Sequence, residues 1–520
     1  MAQHGQVHPD LQQAISLGAA GDFSAMLPIC HRLAAETADV NALASIGALL
    51  FGHGFLSEAR ACFERLHTLS PNDLRPLLNL AHVASDSGDH AAASGWYDEL
   101  TRRFPDHAAV RRGALLSREY DPHASNAERL ALARSWGDWA IARAGGPMAR
   151  PAPADLAGRP LRIGYVSADF CQHTVGLFVK DVIRAHDPQR VQVTAYGAGQ
   201  VSDWVTRQIA ASCTLCDVSQ LSDAALVQQI QADRIDLLVD LSGHTAGSRL
   251  SAFARRPAAV MVSWLGYFAT TGLPYIDAVF LDRWHAPEEI DTQFVEPVVR
   301  LASGRLCYRP VPWARELPDS PPAMRNGYLT FGCFNNTAKY NAEVFDLWAQ
   351  ILHRVPESRL VLKWRTFNDA GLRRQVHTQF EQRGVKADRI ELRGPSFHKD
   401  LLKQYAQIDI ALDPFPFTGG LTSCEALWMG VPVITWPQDR VVSRQTSAIL
   451  HQIGLPHLVA DDAAHYLQIA VELASRTDEL ATLRRTLRGK MRASSLMDVA
   501  AFTRGLESAY LDLHQRVRQG

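Results

Sequence analysis

Two series of short apolar segments, each alternating with helical segments, fill this 520-residue chain beyond Pro160. The first series comprises 161–166, 191–197, 236–241 and 259–266. The second comprises 328–334, 359–364, 389–394, 408–414 and 431–436. Continuous apolar runs of this length, separated by amphipathic segments such as 341–355, are typical of buried parallel strands joined by helices. The pattern predicts two doubly wound α/β domains in tandem, with a cleft between the carboxyl ends of both sheets.

A helical pattern with a 34-residue period precedes these segments. Three residue pairs recur at this spacing: Gly54 and Gly88, Ala59 and Ala93, Pro71 and Pro105. The units 41–73 and 74–107 each read as a helix, a glycine turn, a second helix and a proline stop, and Gly21 fits a degenerate earlier unit. The period resembles the tetratricopeptide repeat, whose stacked helix pairs form a concave surface. A plain helical bundle is the alternative, and so short an array suits a homodimer contact or a lid as well as a peptide-holding groove.

Segments rich in glycine and proline divide the chain into four parts. The segment 145–158 is rich in Gly, Pro and Ala and predicts a linker, and 302–326 contains five prolines and predicts a connection between the α/β domains. We expect helical repeats at 1–145, a linker at 146–159, one α/β half at 160–310 and a second at 311–520. The second half ends in a helical segment, 462–519, expected to pack back across both halves.

Charge and composition exclude several classes of function. Lys and Arg total 53 and Asp and Glu total 54, so there is no global positive field to attract a nucleic acid. No apolar run approaches the roughly 18 residues that a membrane span needs, and no signal peptide is visible at the N-terminus. The eight scattered cysteines suit reduced thiols. We therefore expect a cytoplasmic protein with no nucleic-acid or membrane partner.

Several familiar nucleotide-site motifs are missing from the chain. No G-x-G-x-x-G follows the first predicted strand and no Walker A sequence occurs, which disfavours a dinucleotide oxidoreductase and a P-loop NTPase. Cys213 and Cys216 form a single C-x-x-C without a second pair, so we expect no metal site there.

The segment 412–429, LDPFPFTGGLTSCEALWM, combines a strand end, a glycine loop and a helix start near Thr422. Gly419 and Gly420 let backbone N–H groups approach a ligand, and the helix start adds donors and partial positive charge. Glu425, one turn into the helix, is placed to accept hydrogen bonds from ribose hydroxyls. The segment therefore predicts an anion site; an ordinary loop with Glu425 facing solvent is the alternative.

Other candidates follow predicted strands. Lys339 lies just past a strand, where its charge could neutralise a diphosphate leaving group without a metal; a solvated surface lysine is the alternative. Asp169 and His173 follow the first strand, where they could hold or deprotonate an acceptor hydroxyl; a helix cap and a structural histidine are the alternative. The loops 243–247 and 264–272 end two further strands on the same face.

Taken together, these strings resemble the catalytic region of the O-GlcNAc transferase/SPINDLY glycosyltransferases. The resemblance runs from about 161 to 460 and rests on YVSADF, RRPAAVMVSWLGYFATTG, CFNNTAK, LDPFP and EALWMGVPVIT. It implies a GT-B fold of two Rossmann-like domains, the second binding the nucleotide sugar, preceded by an all-α tetratricopeptide-repeat region. It also implies transfer of GlcNAc from UDP-GlcNAc to Ser or Thr hydroxyls of acceptor proteins, with inversion and without a metal or other cofactor.

The resemblance also implies roles by position. Lys339 would contact the diphosphate and Asn336 the donor, while Glu425 takes the place of an acidic ribose ligand. Gly419, Gly420, Leu421 and Thr422 lie where the pyrophosphate is held. Leu265 and Gly266 lie where the sugar approaches, and Asp169 and His173 match residues near the reacting centre.

Departures from the family pattern leave the donor open. Gly420-Leu421-Thr422 stands where a Thr-rich run is common, and Leu401 stands where a histidine is common. The alternatives are the same fold using GDP-fucose as a protein O-fucosyltransferase, or a non-catalytic scaffold. Retention of Lys339, Asp169, His173 and Glu425 together argues against the scaffold.

Overall fold

A computed structural model describes residues 8–316, 318 and 320–519 of the chain. They divide into two compact units. The first unit contains the residues up to Pro122, Pro321–Pro414 and Ala470–Thr477. The second contains His123–Ser320, Phe415–Ile469 and the residues from Asp478 onward. The helical repeats therefore share a unit with the first four strands of the second apolar series.

Seven helices form the repeat region of the first unit, and they confirm the predicted helix–turn–helix pattern. They are α1 Pro9–Ala20, α2 Phe23–Glu36, α3 Val40–Gly52, α4 Leu56–Leu69, α5 Leu74–Asp86, α6 His90–Arg103 and α7 Ala108–Tyr120. Ala59 and Ala93 are fully buried, which allows the paired helices to approach closely. The turn glycines Gly21, Gly54 and Gly88 have φ of 79°, 84° and 77°, a backbone region that favours glycine.

Aspartates at the helix starts explain where several repeat helices begin. The side chains of Asp22, Asp39, Asp73 and Asp89 accept hydrogen bonds from the first-turn N–H groups of α2, α3, α5 and α6. Each such N-cap contributes about 1 kcal/mol to helix stability. The sequence thus sets both the start and the turn of each helix pair locally.

The second unit contains a seven-stranded parallel sheet. Its strands are β1 Leu161–Ser167, β2 Val191–Gly197, β3 Thr214–Asp217, β4 Leu237–Asp240, β5 Val260–Trp264, β6 Ala278–Leu281 and β7 Val298–Arg300. They lie in the order β3-β2-β1-β4-β5-β6-β7, and helices α8 Asn126–Ala144, α9 Thr174–Ala185, α10 Trp204–Ala210, α11 Asp223–Ala232 and α12 Leu250–Phe253 accompany them. The doubly wound prediction is confirmed. Strands β3, β6 and β7 were not among the predicted segments; β3 and β7 are partly exposed edge strands.

The second parallel sheet contributes four strands to the first unit. They are β8 Thr330–Cys333, β9 Arg359–Lys363, β10 Ile390–Arg393 and β11 Ile410–Leu412, in the order β10-β9-β8-β11. The accompanying helices are α13 Ala323–Asn326, α14 Ala342–Arg354, α15 Ala370–Glu381 and α16 His398–Gln404. Short 3₁₀ turns, Thr337–Lys339 and Arg365–Asn368, follow β8 and β9. The predicted strands of this series are all present.

The remaining elements lie toward the C-terminus. They are α17 Leu421–Trp428, β12 Val433–Ile434, α18 Gln445–Gln452, α19 Ala463–Ser475, α20 Thr477–Arg492 and α21 Val499–Gln519. Helix α21 packs on the first sheet, where Glu507 accepts a hydrogen bond from His186 (3.0 Å) and the Tyr510 and Tyr165 hydroxyls are 3.3 Å apart. Because Tyr165 belongs to β1, this contact braces the strand that leads to Asp169.

Two further findings concern the whole described region. Among its helices, none has both the length and the apolar character that crossing a bilayer requires. All eight cysteines lie within it as free thiols.

Candidate active site

The loops that follow β1, β4 and β5 meet at the carboxyl edge of the first sheet. These strands are neighbours in the sheet, and the N–H of Ala168 donates to Ser242 Oγ at 3.4 Å. A side chain at Gly266 would overlap the carbonyl oxygen of Leu241, so the β5 loop approaches the β4 loop closely. The structure therefore gathers the predicted residues Asp169, His173, Leu265 and Gly266 at one edge.

Asp169 and His173 form a pair beside the start of α9. Asp169 Oδ1 lies 3.5 Å from His173 Nδ1, and the side chains are 20% and 51% exposed. Burial raises the pKa of the Asp169 carboxyl, and the neighbouring His173 opposes that shift. His173, not Asp169, occupies the N-cap position of α9, and its side chain makes no capping hydrogen bond. The pair is therefore accessible and is not used to cap the helix.

Leu265 has a backbone conformation that is unusual for a residue with a branched side chain. Its φ is +68°, in the left-handed region, where a non-glycine residue persists only if its surroundings hold it. Arg305 supplies that restraint, since Nη2 donates to the carbonyl oxygens of Leu265 (2.8 Å) and Tyr267 (2.6 Å). The backbone at Leu265 is thus fixed from inside the protein.

Arg305 is itself buried and oriented by several groups. Arg305 is only 2% exposed. Burial lowers the pKa of its guanidinium to about 10, while the negative charge of Asp282 acts to raise it. Its N–H donates to Asp282 Oδ2 at 2.8 Å, and its carbonyl oxygen accepts from Trp264 Nε1 at 2.8 Å. Burial opposes ionisation of Asp282, but His285 holds the pKa of that carboxyl well below its usual range. Sequence reasoning missed Arg305, because nothing in its local sequence links it to a loop 40 residues earlier.

Glu296 is a second restraint on the β5 loop that the sequence did not reveal. This buried carboxylate accepts from the N–H of Thr271 at 2.6 Å and from the hydroxyls of Thr270 and Thr271. Burial raises its pKa, and these hydrogen bonds oppose the shift. The 264–272 loop therefore has fixed anchors at both ends.

The glycine loop before α17 is braced by the start of α18. The carbonyl oxygen of Gly419 accepts from Thr446 Oγ1 at 3.0 Å, and that of Thr418 accepts from Gln445 Nε2 at 3.3 Å. Gly420 is the N-cap residue of α17, which begins at Leu421. A helix start of this kind offers N–H donors without acceptors inside the helix, so it suits an anion.

Glu425 lies one turn into α17 and is only 5% exposed. The alternative that it faces solvent is therefore wrong.

A ring contact links two loops of the second unit. The ring of Phe268 packs edge-on against Phe417 with centroids 4.7 Å apart. This contact joins the loop of Leu265 to the loop that leads into α17.

Asn336 and Lys339 lie in the first unit, directly after β8. The side chain of Asn336 accepts from the N–H of Ala338 at 3.1 Å and so starts the 3₁₀ turn. Lys339 is partly buried, and its Nζ donates to Asn335 Oδ1 at 2.9 Å. Burial lowers its pKa to about 8, while Asp413 and Cys333 act to raise it. The alternative of a solvated surface lysine is therefore wrong.

Within residues 8–316, 318 and 320–519, no three His, Cys, Asp or Glu side chains come together in a way that could hold a metal ion.

Comparison with known proteins places this geometry in context. The chain matches Glycosyl transferase family 41 over residues 146–305 and 323–506. It is 35% identical over 422 residues to an Arabidopsis thaliana protein named a probable UDP-N-acetylglucosamine–peptide N-acetylglucosaminyltransferase, SPINDLY, covering 80% of this chain and 46% of that one. It is 29% identical over 381 residues to the Arabidopsis relative SEC, covering 71% and 38%. The chain thus spans less than half the length of these plant relatives.

A solved structure is similar over nearly its whole length. The O-GlcNAc transferase of Thermobaculum terrenum, in a lysine-to-methionine variant, has 34% sequence identity and a TM-score of 0.89, with 99% of each chain covered. Helical repeats followed by parallel-sheet α/β domains of the GT-B type are therefore confirmed as the fold class. With residues 146–305 and 323–506 matched to the family model, this chain belongs to glycosyltransferase family 41.

Proposed function

We propose that this protein is an inverting, metal-independent glycosyltransferase that moves GlcNAc from UDP-GlcNAc to serine and threonine hydroxyls of proteins. The observation that carries the proposal is the similarity to an O-GlcNAc transferase over 99% of both chains. The names of the plant relatives support the same donor and a peptide acceptor.

Lys339 is proposed to stabilise the diphosphate leaving group. Its amine is partly buried beside the Asp413 carboxylate, and its pKa of about 8 keeps it mostly charged at neutral pH. When the bond between the anomeric carbon and the phosphate oxygen breaks, negative charge develops on that oxygen. A fixed cation in a partly dehydrated site stabilises this charge more strongly than water does.

The loop 419–422 and Glu425 are proposed to bind the rest of the nucleotide. The N–H groups at the start of α17 suit phosphate oxygens, and the brace from α18 keeps the loop fixed without a ligand. Glu425 is proposed to accept hydrogen bonds from the ribose hydroxyls, and Asn336 to contact the donor. Charge-assisted hydrogen bonds of this kind are about twice as strong as neutral ones.

Asp169 and His173 are proposed to orient the acceptor hydroxyl, and Leu265 and Gly266 to contact the sugar. The hydroxyl oxygen attacks the anomeric carbon from the face opposite the leaving phosphate, which inverts the configuration. The hydroxyl proton passes to water, and the phosphate oxygen keeps the electron pair of the broken bond as UDP leaves. The rigid backbone at Leu265 supports such positioning, because a small displacement of reacting groups costs a large factor in rate.

Thermal unfolding with UDP, GDP, UDP-GlcNAc and GDP-fucose, each with EDTA present, tests the proposal. A ligand at about 100 times its Kd stabilises the native state by about 2.7 kcal/mol. Stabilisation by the uridine ligands alone supports the proposal, and mass spectrometry of acceptor peptides then checks for added N-acetylhexosamine. Stabilisation by the guanosine ligands alone would move the donor to GDP-fucose, and no stabilisation would favour a non-catalytic scaffold. NMR of the product linkage tests inversion.

A further inference from the structure

The turns of two helical repeats lie directly against the segment that carries Lys339. The Gly88 turn, between α5 and α6, faces the carbonyl oxygen of Tyr340, which an added side-chain carbon on Gly88 would approach to 2.9 Å. The Gly54 turn, between α3 and α4, faces the carbonyl oxygen of Arg365, which an added carbon on Gly54 would overlap. Glycine is therefore required at both turns by close contact as well as by backbone conformation.

Hydrogen bonds from these turns hold the chain on both sides of Lys339. Two residues before it, Thr337 Oγ1 donates to the carbonyl oxygen of Asp86 at 2.6 Å. One residue after it, the carbonyl oxygen of Tyr340 lies 3.2 Å from Nε2 of the buried His90. Thr366 completes the set, since its hydroxyl lies 2.7 Å from that of Thr337 and can donate to it.

An ion pair also holds the repeat helices against the segments that follow β8 and β9. Arg365 Nη2 donates to Asp86 Oδ2 at 2.6 Å, and Nη1 donates to the carbonyl oxygen of Phe51 at 2.7 Å. Close by, Asp369 accepts from the N–H of Ser57 at 2.6 Å and from its hydroxyl at 2.9 Å. Directional bonds of this number do not permit the repeats to slide over the sheet without breaking several of them at once.

The first repeat turn provides an internal contrast. Gly21 has nearly the same backbone conformation as Gly88, with φ of 79° against 77°. An added carbon on Gly21 would meet no atom within 4 Å. Alanine at either position therefore introduces the same backbone strain, but only alanine at Gly88 also presses on the Lys339 segment.

We infer that the repeat turns at Gly54 and Gly88 are part of the donor site, with Thr337 as a positioning residue that sets where the Lys339 amine lies. The inference rests on the proposed role of Lys339 in binding the diphosphate. The repeats closest to the second sheet thus act on the nucleotide through the protein backbone, whatever their role toward acceptor proteins.

The test compares full-length variants by calorimetric titration with UDP, or with GDP if the wild type prefers it. We expect Gly88→Ala and Thr337→Val to raise Kd at least fivefold, while Gly21→Ala and Thr337→Ser stay within twofold of wild type. Thr337→Ser keeps the hydroxyl that donates to Asp86. A wild-type Kd in this variant would therefore show that the hydrogen bond matters, and not packing in general. Circular dichroism confirms that each variant is folded.

A second readout responds to position and not to folding alone. Loosening the segment hydrates Lys339, so the pH above which UDP affinity falls should move upward in Thr337→Val. If Lys339→Met weakens binding but Gly88→Ala matches Gly21→Ala and Thr337→Val matches Thr337→Ser, the inference is wrong and the role of Lys339 stands. If Lys339→Met binds UDP as the wild type does, the role of Lys339 itself fails.

Discussion

Arg305 and Leu265 are joined by a 2.8 Å hydrogen bond from a buried guanidinium to the carbonyl oxygen of a residue with left-handed backbone. The strained conformation and its restraint lie 40 residues apart in the chain. Because the β5 loop also contacts the β4 loop at Gly266, we expect a change in Arg305 to displace the edge of the sheet where Asp169 and His173 lie.

Replacing Arg305 should therefore reduce transfer more than nucleotide binding. Arg305→Met leaves the carbonyl oxygens of Leu265 and Tyr267 without their donor, and we expect kcat to fall roughly 10- to 100-fold. Arg249→Met is the matched control, since Arg249 donates to the carbonyl oxygens of Val218 (3.0 Å) and Leu221 (2.8 Å) after β3. Steady-state kinetics measure kcat of the two variants, and thermal unfolding measures their stability. Equal loss of kcat in the two variants would assign Arg305 to stability alone.

Replacing Lys339 should weaken donor binding directly. A charge-assisted contact contributes roughly 1.5–3 kcal/mol, so Lys339→Met should raise the Kd for UDP by about 10- to 100-fold. Lys363→Met is the control in the same unit, because burial also lowers the pKa of Lys363 to about 8 and its Nζ donates to the carbonyl oxygen of Gly394 at 2.7 Å. Unchanged UDP affinity in Lys339→Met, or the same loss in both variants, contradicts the assignment.

UDP affinity should also depend on pH in a defined direction. Lys339 is charged below about pH 8 and neutral above it, so affinity is full below that pH and falls by up to about tenfold per unit above it. The nearby Cys333 thiol, with a pKa of about 11, and the Tyr340 hydroxyl, with a pKa well above its usual value, stay neutral over this range.

Titrations from pH 7.5 to 9.5 on wild type and Lys339→Met test this dependence. The variant should show a flat profile, because the titrating amine is gone. A wild-type profile that is itself flat, or a fall that persists in Lys339→Met, would show that another group controls binding.

Glu425 can be tested by changing enzyme and ligand together. If its carboxylate accepts the ribose hydroxyls, Glu425→Ala should raise the Kd for UDP about tenfold while leaving that for 2′,3′-dideoxy-UDP nearly unchanged. Since Glu425 is only 5% exposed, thermal unfolding must accompany the titrations. An equal rise in Kd for the two ligands would show that the substitution acts through the packing of α17 and not through the ribose hydroxyls.

The longer elements of this fold could be predicted because their sequence pattern is local. The boundaries of β2 match the prediction and those of β1 differ by one residue, since buried parallel strands are continuous apolar runs. Strands β3, TLCD, and β7, VVR, are partly exposed edge strands, so a search for buried apolar runs does not find them, and the buried β6, AVFL, was missed. The repeat turns could also be predicted, because the glycines that form them recur at a fixed spacing of 34 residues.

The candidate site was predictable only in part. Asp169 and His173 were predicted as site residues because they directly follow a strand, and Gly419 because it precedes a helix; their roles stay predictions. Arg305 and Glu296 act on a loop from 40 and 25 residues away, and such pairings are created only by the folded sheet. The contact of Thr337 with Asp86 spans 251 residues and leaves no trace in local sequence.

The contact of Gly88 with Tyr340 limits how this protein can be re-engineered. Tetratricopeptide arrays are often treated as exchangeable cassettes, but here a graft that replaces 41–107 must bring its own match for the Tyr340 and Arg365 carbonyl groups. A graft confined to the first helix pair, around Gly21, carries no such demand. Chimeras built to redirect acceptor choice should therefore place their junction after the first helix pair, or they will alter nucleotide use along with target selection.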